Sequence, residues 1–362
     1  MAPLAVAEAA GERPGDDRPA KVVTTAVVGV GTIAKQHLAC LSRLPGVGVV
    51  GLCDLSPAVA ESAASRFGVP AWFTDHSAML AEVSPDVVHV ATPPVAHYGI
   101  AMDVLAAGAH AIVEKPIVAD AAQLDPLLAE AERQERLVVE NYNYVFNPQI
   151  REMRRLLSSG ELGTLTHVDV DLAVDILGEG SPFADRNRPH PTVDMPGGPV
   201  ADFLPHLASL AYFLVGPQRA VSAVWGENEL RALVDAEGGT ASISFSAASQ
   251  PDGFWVRVHG SRMRAEANLF EPRLTIERIR PVPSPLFPVL NGISEIGAVA
   301  RAAAGGLWGK LRGAPGAYAG LWHLVDRTYD AIARGQPPPI SHADIRSVNR
   351  LVRDIAAEQR RP

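Results

Sequence analysis

Gly29, Gly31 and Ala34 stand in G-x-G-x-x-A spacing inside VVGVGTIAKQHLACL, directly after a β-branched run and at the start of a helix-like segment. Gly29 permits a tight turn, Gly31 lets a pyrophosphate approach the backbone, and Ala34 allows close helix packing. The N–H groups at the helix start, from Thr32 and Ile33 onward, attract the anion. Twenty residues past Ala34, at the end of the next apolar run, stands Asp54. A carboxylate there accepts hydrogen bonds from an adenosine ribose and repels a 2′-phosphate. Leu55 and Ser56 follow and offer no cation, so NAD(H) is expected ahead of NADP(H). Taken alone, Asp54 can also simply cap the next helix.

A second set of residues suits proton and charge handling. Oxidising a secondary alcohol removes a hydroxyl proton as hydride leaves carbon, so a base near neutrality must stand beside a charge-stabilising donor. His206 can be that base. Lys115, a point charge with three donors, can hold the hydroxyl and stabilise the alkoxide. At about 100° per residue, Asp202, His206 and Ser209 form one polar stripe on an otherwise apolar helix carrying Phe203, Leu207, Leu210 and Leu214. Pro205 is comfortable only in a first turn, so the helix is predicted to begin near Asp202. Each residue also has a plain alternative: Asp202 as an N-cap, His206 as a core histidine, Lys115 as a solvated loop residue.

The elements that must position these groups fall into two rhythms. From Thr24 to about Asn141, the runs TTAVVGV, VGVVGLCD, DVVHVAT, HAIVEKP and RLVVEN alternate with helix-length segments, which is βαβ rhythm. Continuous apolar strands suit a parallel sheet covered on both faces, so a doubly wound Rossmann domain is expected over residues 21–141. Beyond residue 142 the strands alternate strictly. Val168, Val170, Leu172 and Val174 oppose Asp169, Asp171 and Asp175; Ala241, Ile243, Phe245 and Ala247 oppose Thr240, Ser242, Ser244 and Ser246. That half-exposed pattern predicts an α+β domain over 142–362 with a mainly antiparallel open sheet. Residues 281–320, rich in Pro and Gly around EIGAVARAAAGGLWGKLRG, read as a surface helical excursion. Arg301, Lys310 and Arg312 are too few to favour a membrane-surface helix.

Composition excludes several classes. The 362 residues suggest two domains at about 150 residues each. With 47% hydrophobic and 20% charged residues the chain can bury a sizeable core. Lys plus Arg number 32 and Asp plus Glu 40, a formal charge of −8, which argues against nucleic acid as a partner. The two cysteines, Cys40 and Cys53, form neither a disulfide framework nor a C-x-x-C metal pair; no metal is expected, and the usage suits a reducing cytoplasm. No run of 18 uncharged apolar residues predicts a spanning helix. Residues 1–20 lack the form of a secretory signal and read as a disordered tail.

ATPPVAH (91–97) and VEKPI (113–117) each end a predicted parallel strand. With GVGTIA and GGPVADFLPH (197–206), they resemble the glucose-fructose oxidoreductase and inositol dehydrogenase family, Gfo/Idh/MocA. The resemblance is motif-specific over about residues 24–216. It implies an E-K-P motif at Glu114, Lys115 and Pro116, with Lys115–Pro116 cis, and a D-x-x-x-H motif at Asp202 and His206. It also implies that Thr92, Pro93 and His97 line the nicotinamide end of the cofactor site, that Asn143 contributes there, and that the chain forms a homodimer or homotetramer, and it assigns substrate binding and oligomerisation to the 142–362 domain. One position departs: Val145, in NYNYVFNP, stands where many members carry Arg, with Asn143 and Tyr144 beside it. The loop at 181–198, holding Arg186, Arg188 and His190, reads equally as a pocket rim or phosphate-binding loop and as an ordinary surface loop.

The resemblance therefore implies an NAD-dependent oxidoreductase acting on a secondary alcohol or ketone of a sugar, cyclitol or nucleotide-linked sugar. Two alternatives stand beside it: a redox-neutral glycoside-cleaving enzyme of the same family, and a non-catalytic NAD-binding regulator. The joint presence of Lys115, Asp202 and His206 counts against the regulator.

Overall fold

The computed structural model describes residues 22–176, 192, 197–271, 273–279, 282–311 and 316–359. The tail at 1–20 and Arg186, Arg188 and His190 lie outside the described residues. The chain divides into two compact units, one holding the residues up to Tyr142 together with Leu321–Arg346, the other Asn143–Gly320 and the residues from Ser347 onward.

The first unit carries a six-stranded parallel sheet of β1 (Val23–Val28), β2 (Val47–Cys53), β3 (Trp72–Phe73), β4 (Val87–Val90), β5 (His110–Val113) and β6 (Val138–Glu140), in the order β3-β2-β1-β4-β5-β6. Between the strands run α1 (Thr32–Leu41), α2 (Pro57–Phe67), α3 (His76–Val83), α4 (Pro94–Ala106) and α5 (Leu124–Arg133). The expected doubly wound architecture is present. Its strands are apolar along their length because both faces are covered: Ala26, Val27, Val88 and Val113 are wholly buried. The order reverses on either side of β1, so a crevice opens at the carboxyl ends of β1 and β4, where ligands bind in such sheets.

The second unit contains α6 (Pro148–Ser158), β7 (Leu165–Ala173), α7 (Gly198–Val215), β8 (Gln218–Trp225), β9 (Glu229–Ala236), β10 (Gly239–Ser246), β11 (Gly253–Gly260), β12 (Met263–Asn268), β13 (Arg273–Arg278) and α8 (Phe287–Leu311). Its seven-stranded sheet runs β13-β12-β11-β7-β10-β9-β8. All neighbours are antiparallel except β7 and β10, which pair in parallel, Val168 opposite Ala241 and Leu172 opposite Phe245. Strict alternation marks a one-sided strand and is blind to the direction of its neighbour, so it could not reveal this parallel pair. Val168, Val170, Leu172, Ile243 and Phe245 are buried on one face, which α7 covers, with Phe203 stacked on Phe245 at 5.5 Å.

The helix α7 corrects one expectation. It begins at Gly198, not near Asp202, and Pro205 lies inside it. The first-turn proline is Pro199, and Gly197, at φ +83°, turns the chain into the helix. A mid-helix proline costs about 3 kcal/mol. Full burial of Leu207, Leu210 and Leu214 returns about 1.5–3 kcal/mol each, so packing outweighs the lost bond. By length and composition α7 could cross a membrane, yet most of it is buried inside the unit, as in a core helix.

The C-terminal helices depart from the expected domain division, which put everything after 141 in the second domain. Most of α9 (Ala319–Arg334) folds with the first unit, and α10 (His342–Glu358) spans the division. In the first unit Arg346 Nε donates to Asp125 Oδ1 at 2.8 Å; in the second, Trp225 Nε1 donates to the Ile355 carbonyl at 3.2 Å. The 281–320 excursion contains the 25-residue α8, which packs on the edge strand β13 and leaves Val289, Ile293 and Ile296 exposed.

Candidate active site

The parallel sheet brings the first set of residues to one edge. Gly29 N donates to the Cys53 carbonyl and Ala91 N to the Val28 carbonyl, both at 2.8 Å, so the ends of β1, β2 and β4 are laced together. Gly29 adopts φ +82°, and a Cβ there would stand 2.7 Å from the Ala91 carbonyl oxygen and 2.8 Å from Thr92 N. Only glycine fits. Gly31 has nothing within 4 Å of such a Cβ, which leaves its backbone approachable from outside. The N-cap residue of α1, Gly31, has no side chain to cap the N–H groups of the first turn, which include those of Thr32 and Ile33.

Asp54 is fixed at the end of β2: Val30 N donates to its Oδ2 and Ser56 N to its Oδ1, each at 2.9 Å. Each oxygen keeps acceptor capacity for a further donor. The neighbouring Leu55 is 92% exposed, so no basic side chain shares the position. An NAD adenosine with two free ribose hydroxyls fits this edge: the carboxylate is held, the turn is glycine-only, and the helix start is uncapped.

Thr92 and Pro93 follow β4, with Pro93 at the N-cap position of α4. Thr92 Oγ1 is buried without a hydrogen-bond partner among the described residues, as is Asn141 Oδ1 at the end of β6. Orphaned buried polar atoms at the carboxyl edge, Thr92 beside the glycine turn and Asn141 beside Glu114, fit a polar ligand such as the carboxamide end of a dinucleotide. His97, expected to line that end, is wholly buried instead. Its Nε2 lies 2.7 Å from the Thr92 carbonyl and its Nδ1 2.8 Å from the Pro116 carbonyl, so the ring ties the two motif turns together. Burial pushes its pKa down against the opposing carbonyl bonds and the Glu114 charge. The Lys115–Pro116 peptide is cis.

Glu114 is nearly buried. Its Oε1 accepts from His37 Nε2 at 2.8 Å and from Asn141 Nδ2. Burial works to raise its pKa, but those bonds, the His37 ring and the Lys115 charge outweigh it and leave the carboxyl below its usual range. His37, His89 and Asn141 were not singled out from the sequence. The available signal was one polar residue inside the strand VVHV and another on the buried face of α1.

Acid lability follows from these shifts. Burial drives His89 well below its usual range, reinforced by His37, and lowers His110 to about 4, with Arg136 adding and Asp86 opposing. A histidine kept neutral when folded but protonated when unfolded loses stability as pH falls below its unfolded value of 6.5. The depressed Glu114 acts in the same direction below 4.5. We expect the unfolding free energy from urea titrations, and with it the midpoint, to fall from pH 7 to pH 5, the free energy by up to about 1.4 kcal/mol per pH unit for a wholly buried group. A midpoint that rises toward pH 5 would contradict these shifts.

In the second unit, α7 presents Asp202 and His206 one turn apart. His206 is 9% exposed, with the Tyr144 ring edge-on at 4.9 Å and the Phe203 ring at 6.3 Å. Ser209, on the same stripe, turns its hydroxyl onto the His206 carbonyl at 2.9 Å and so serves the helix backbone. Burial pushes the Tyr144 phenol up, with Tyr318 adding to the effect. Asn143 is buried and its Oδ1 has no partner among the described residues. Val145 is wholly buried and forms part of the core. Among the described residues, no group of three or more His, Cys, Asp or Glu side chains could hold a metal ion.

Residues 23–142 match the family model described as an oxidoreductase family with NAD-binding Rossmann fold, and residues 150–266 match the GFO/IDH/MocA C-terminal domain. The chain is similar to D-apiose dehydrogenase of Paraburkholderia graminis, 28% identical over 60% of this chain and 58% of that protein. It is similar to glycosyl hydrolase family 109 protein 2 of Akkermansia muciniphila, 30% identical over 40% of this chain and 33% of that protein. The chain thus spans about a third to somewhat over half of the length of these relatives. Among solved structures, an oxidoreductase from Agrobacterium radiobacter in complex with NAD+, L-tartaric acid and magnesium superposes with a TM-score of 0.75 at 16% identity, over 93% of this chain and 96% of that one. With both of its domains matched and the glycine turn, E-K-P segment and D-x-x-x-H helix in place, the chain belongs to the GFO/IDH/MocA oxidoreductase family and has its NAD-binding Rossmann fold.

Proposed function

We propose that this protein is an NAD(H)-dependent dehydrogenase or ketoreductase acting on a secondary alcohol of a sugar, cyclitol or nucleotide-linked sugar. The observation that carries this reading is the single carboxyl edge on which the Gly29 turn, the fixed Asp54 carboxylate and Lys115 stand together. Asp54 would hold the adenosine ribose hydroxyls, and the backbone of Gly31, Thr32 and Ile33 the pyrophosphate. Thr92, Pro93, Glu114 and Asn143 would line the cofactor's other end, and His97 would act through Thr92 and Pro116. Nicotinamide, when bound, accepts or returns hydride at its ring. Lys115 holds the reacting oxygen and stabilises its negative charge, His206 takes or returns its proton, and Asp202 orients the imidazole or the substrate.

Asp54 also sets the choice of cofactor. Changing Asp54→Ser together with Leu55→Arg should shift preference toward NADP(H), read as the ratio of NADH to NADPH affinities by fluorescence. An unmodified protein that already binds NADPH more tightly would overturn the role of Asp54.

The similarity to a glycosyl hydrolase supports one other reading, in which the sugar is oxidised, its glycosidic bond eliminated and the cofactor regenerated. The two separate cleanly: the hydrolase cleaves a chromogenic glycoside with no steady accumulation of NADH. We further propose a cytoplasmic homodimer or homotetramer joined through the open sheet face. Supporting this are two buried thiols and a polar face on which Asp169 bridges His167 and His259 at 3.0 and 2.9 Å. A monomeric mass in solution would contradict the oligomer.

A further inference from the structure

Five polar side chains form a continuous line through the apolar interior of the first unit. From Glu114 Oε1 it passes to His37 Nε2 at 2.8 Å, from His37 Nδ1 to His89 Nδ1 at 2.7 Å, from His89 Nε2 to the Tyr329 hydroxyl at 3.0 Å, and from there to Thr25 Oγ1 at 2.7 Å. None of the five is more than 7% exposed. Such a line is tolerated only if every member is satisfied, and apolar side chains would fill the same space with less risk.

The line can be satisfied in two directions. With one proton on His37, donation runs toward the carboxylate: Thr25 to Tyr329, Tyr329 to His89, His89 to His37, His37 to Glu114. With two protons on His37, its Nε2 still donates to Glu114 while its Nδ1 donates outward through His89 and Tyr329 to Thr25, whose hydroxyl then donates to the Val87 carbonyl at 3.2 Å. The Tyr329 hydroxyl serves both cases because it donates and accepts. Glu114 is therefore held whether or not the pair beside it gains a proton. The residues around Lys115 are held as well: Glu114 N donates to the Val90 carbonyl at 2.9 Å, Ile117 N donates to Glu140 Oε1 at 3.1 Å, and His97 lies against the Pro116 carbonyl.

We propose that Tyr329, acting through His89 and His37, is a positioning residue for Lys115, keeping the Glu114–Lys115 segment in one place through the protonation changes that accompany turnover. The proposal rests on the dehydrogenase reading for its kinetic consequence only. The titratable and charged groups facing the line are Lys115 and His97 beside Glu114, and Asp86 before β4 and Cys40 from α1 beside Tyr329, with Asp326 from α9 beside Cys40.

The test uses the full chain carrying Tyr329→Phe, which keeps the ring stacked on His89, and separately Thr25→Val, which keeps the strand side-chain shape. Nitrogen NMR spectra of the ligand-free proteins from pH 8 to pH 5 should show the His37 and His89 ring resonances moving in Tyr329→Phe, with the Lys115 amide resonance moving alongside. Thr25→Val should move the same resonances less. In kinetics, kcat should fall roughly tenfold in Tyr329→Phe and the pH limb of kcat should shift, while NADH affinity stays within about twofold. Unmoved ring and Lys115 resonances in both variants, or an unchanged kcat and pH limb, would overturn the proposal. If the unmodified chain neither binds NADH nor transfers hydride, the dehydrogenase reading fails, and the ligand-free spectra still decide whether Tyr329 positions Lys115.

Discussion

Replacing His206 by alanine is expected to slow hydride transfer by about 10² to 10⁴ while leaving NADH affinity nearly unchanged. The imidazole stands on α7 with the Tyr144 ring edge-on to it, and the helix around it is buried. Lys115→Ala should lose at least the lower figure, because the developing alkoxide would lose its charge partner. Neither change touches the Gly29 turn or Asp54, so the adenosine and pyrophosphate contacts persist. Stopped-flow transfer on both variants, with cofactor affinity measured in parallel, checks this. Near-normal transfer in His206→Ala would remove it as the base. Tyr142, Tyr144 and His97 would then be the candidates left, and each is engaged or buried: the Tyr142 hydroxyl donates to Glu140 Oε2 at 2.6 Å, both His97 nitrogens face carbonyls, and burial raises the Tyr144 phenol.

Gly29→Ala should remove cofactor binding and destabilise the first unit by about 2–4 kcal/mol, adding a left-handed backbone penalty to a clash with main chain. The added methyl would meet the Ala91 carbonyl and Thr92 N, which are backbone and cannot swing away. The β1 and β4 ends would have to part, moving Thr92 as they do. Gly31→Ala makes an informative contrast. It meets nothing in the protein within 4 Å, so stability should hold while NADH affinity drops, since only a bound pyrophosphate would feel the methyl. Thermal melts and fluorescence titrations of the two variants separate the cases; equal loss of stability in both would contradict the assignment of the turn.

Much of this was legible in the residues because the signals were local. The glycine spacing, the acid at the end of the next strand and the alternation of β7 and β10 each depend on a few neighbouring positions, and the sheets form where those patterns lie. What depended on distant partners was not legible. Alternation around Val170 could not say that β10 would lie parallel to it. Pro205 suggested a helix start at Asp202 because a proline's local penalty is visible in sequence and the burial of Leu207, Leu210 and Leu214 that offsets it is not. His97 carried the motif of a cofactor residue, yet its ring is spent on the Thr92 and Pro116 carbonyls. Tyr329 lies 240 residues from His89, the kind of pairing that no periodicity predicts.

The central claim is hydride transfer between a sugar carbon and NAD at the edge holding Gly29, Asp54 and Lys115, with His206 handling the proton. Its most direct test incubates the protein with NAD+ and a panel of sugars, cyclitols and nucleotide-linked sugars deuterated at their ring carbinol positions, then weighs the recovered cofactor by mass spectrometry. The account predicts singly deuterated NADH from at least one substrate class, with the label lost in His206→Ala and Lys115→Ala. Unlabelled cofactor across the whole panel from a protein that binds NADH, or undiminished labelling in both variants, would contradict it.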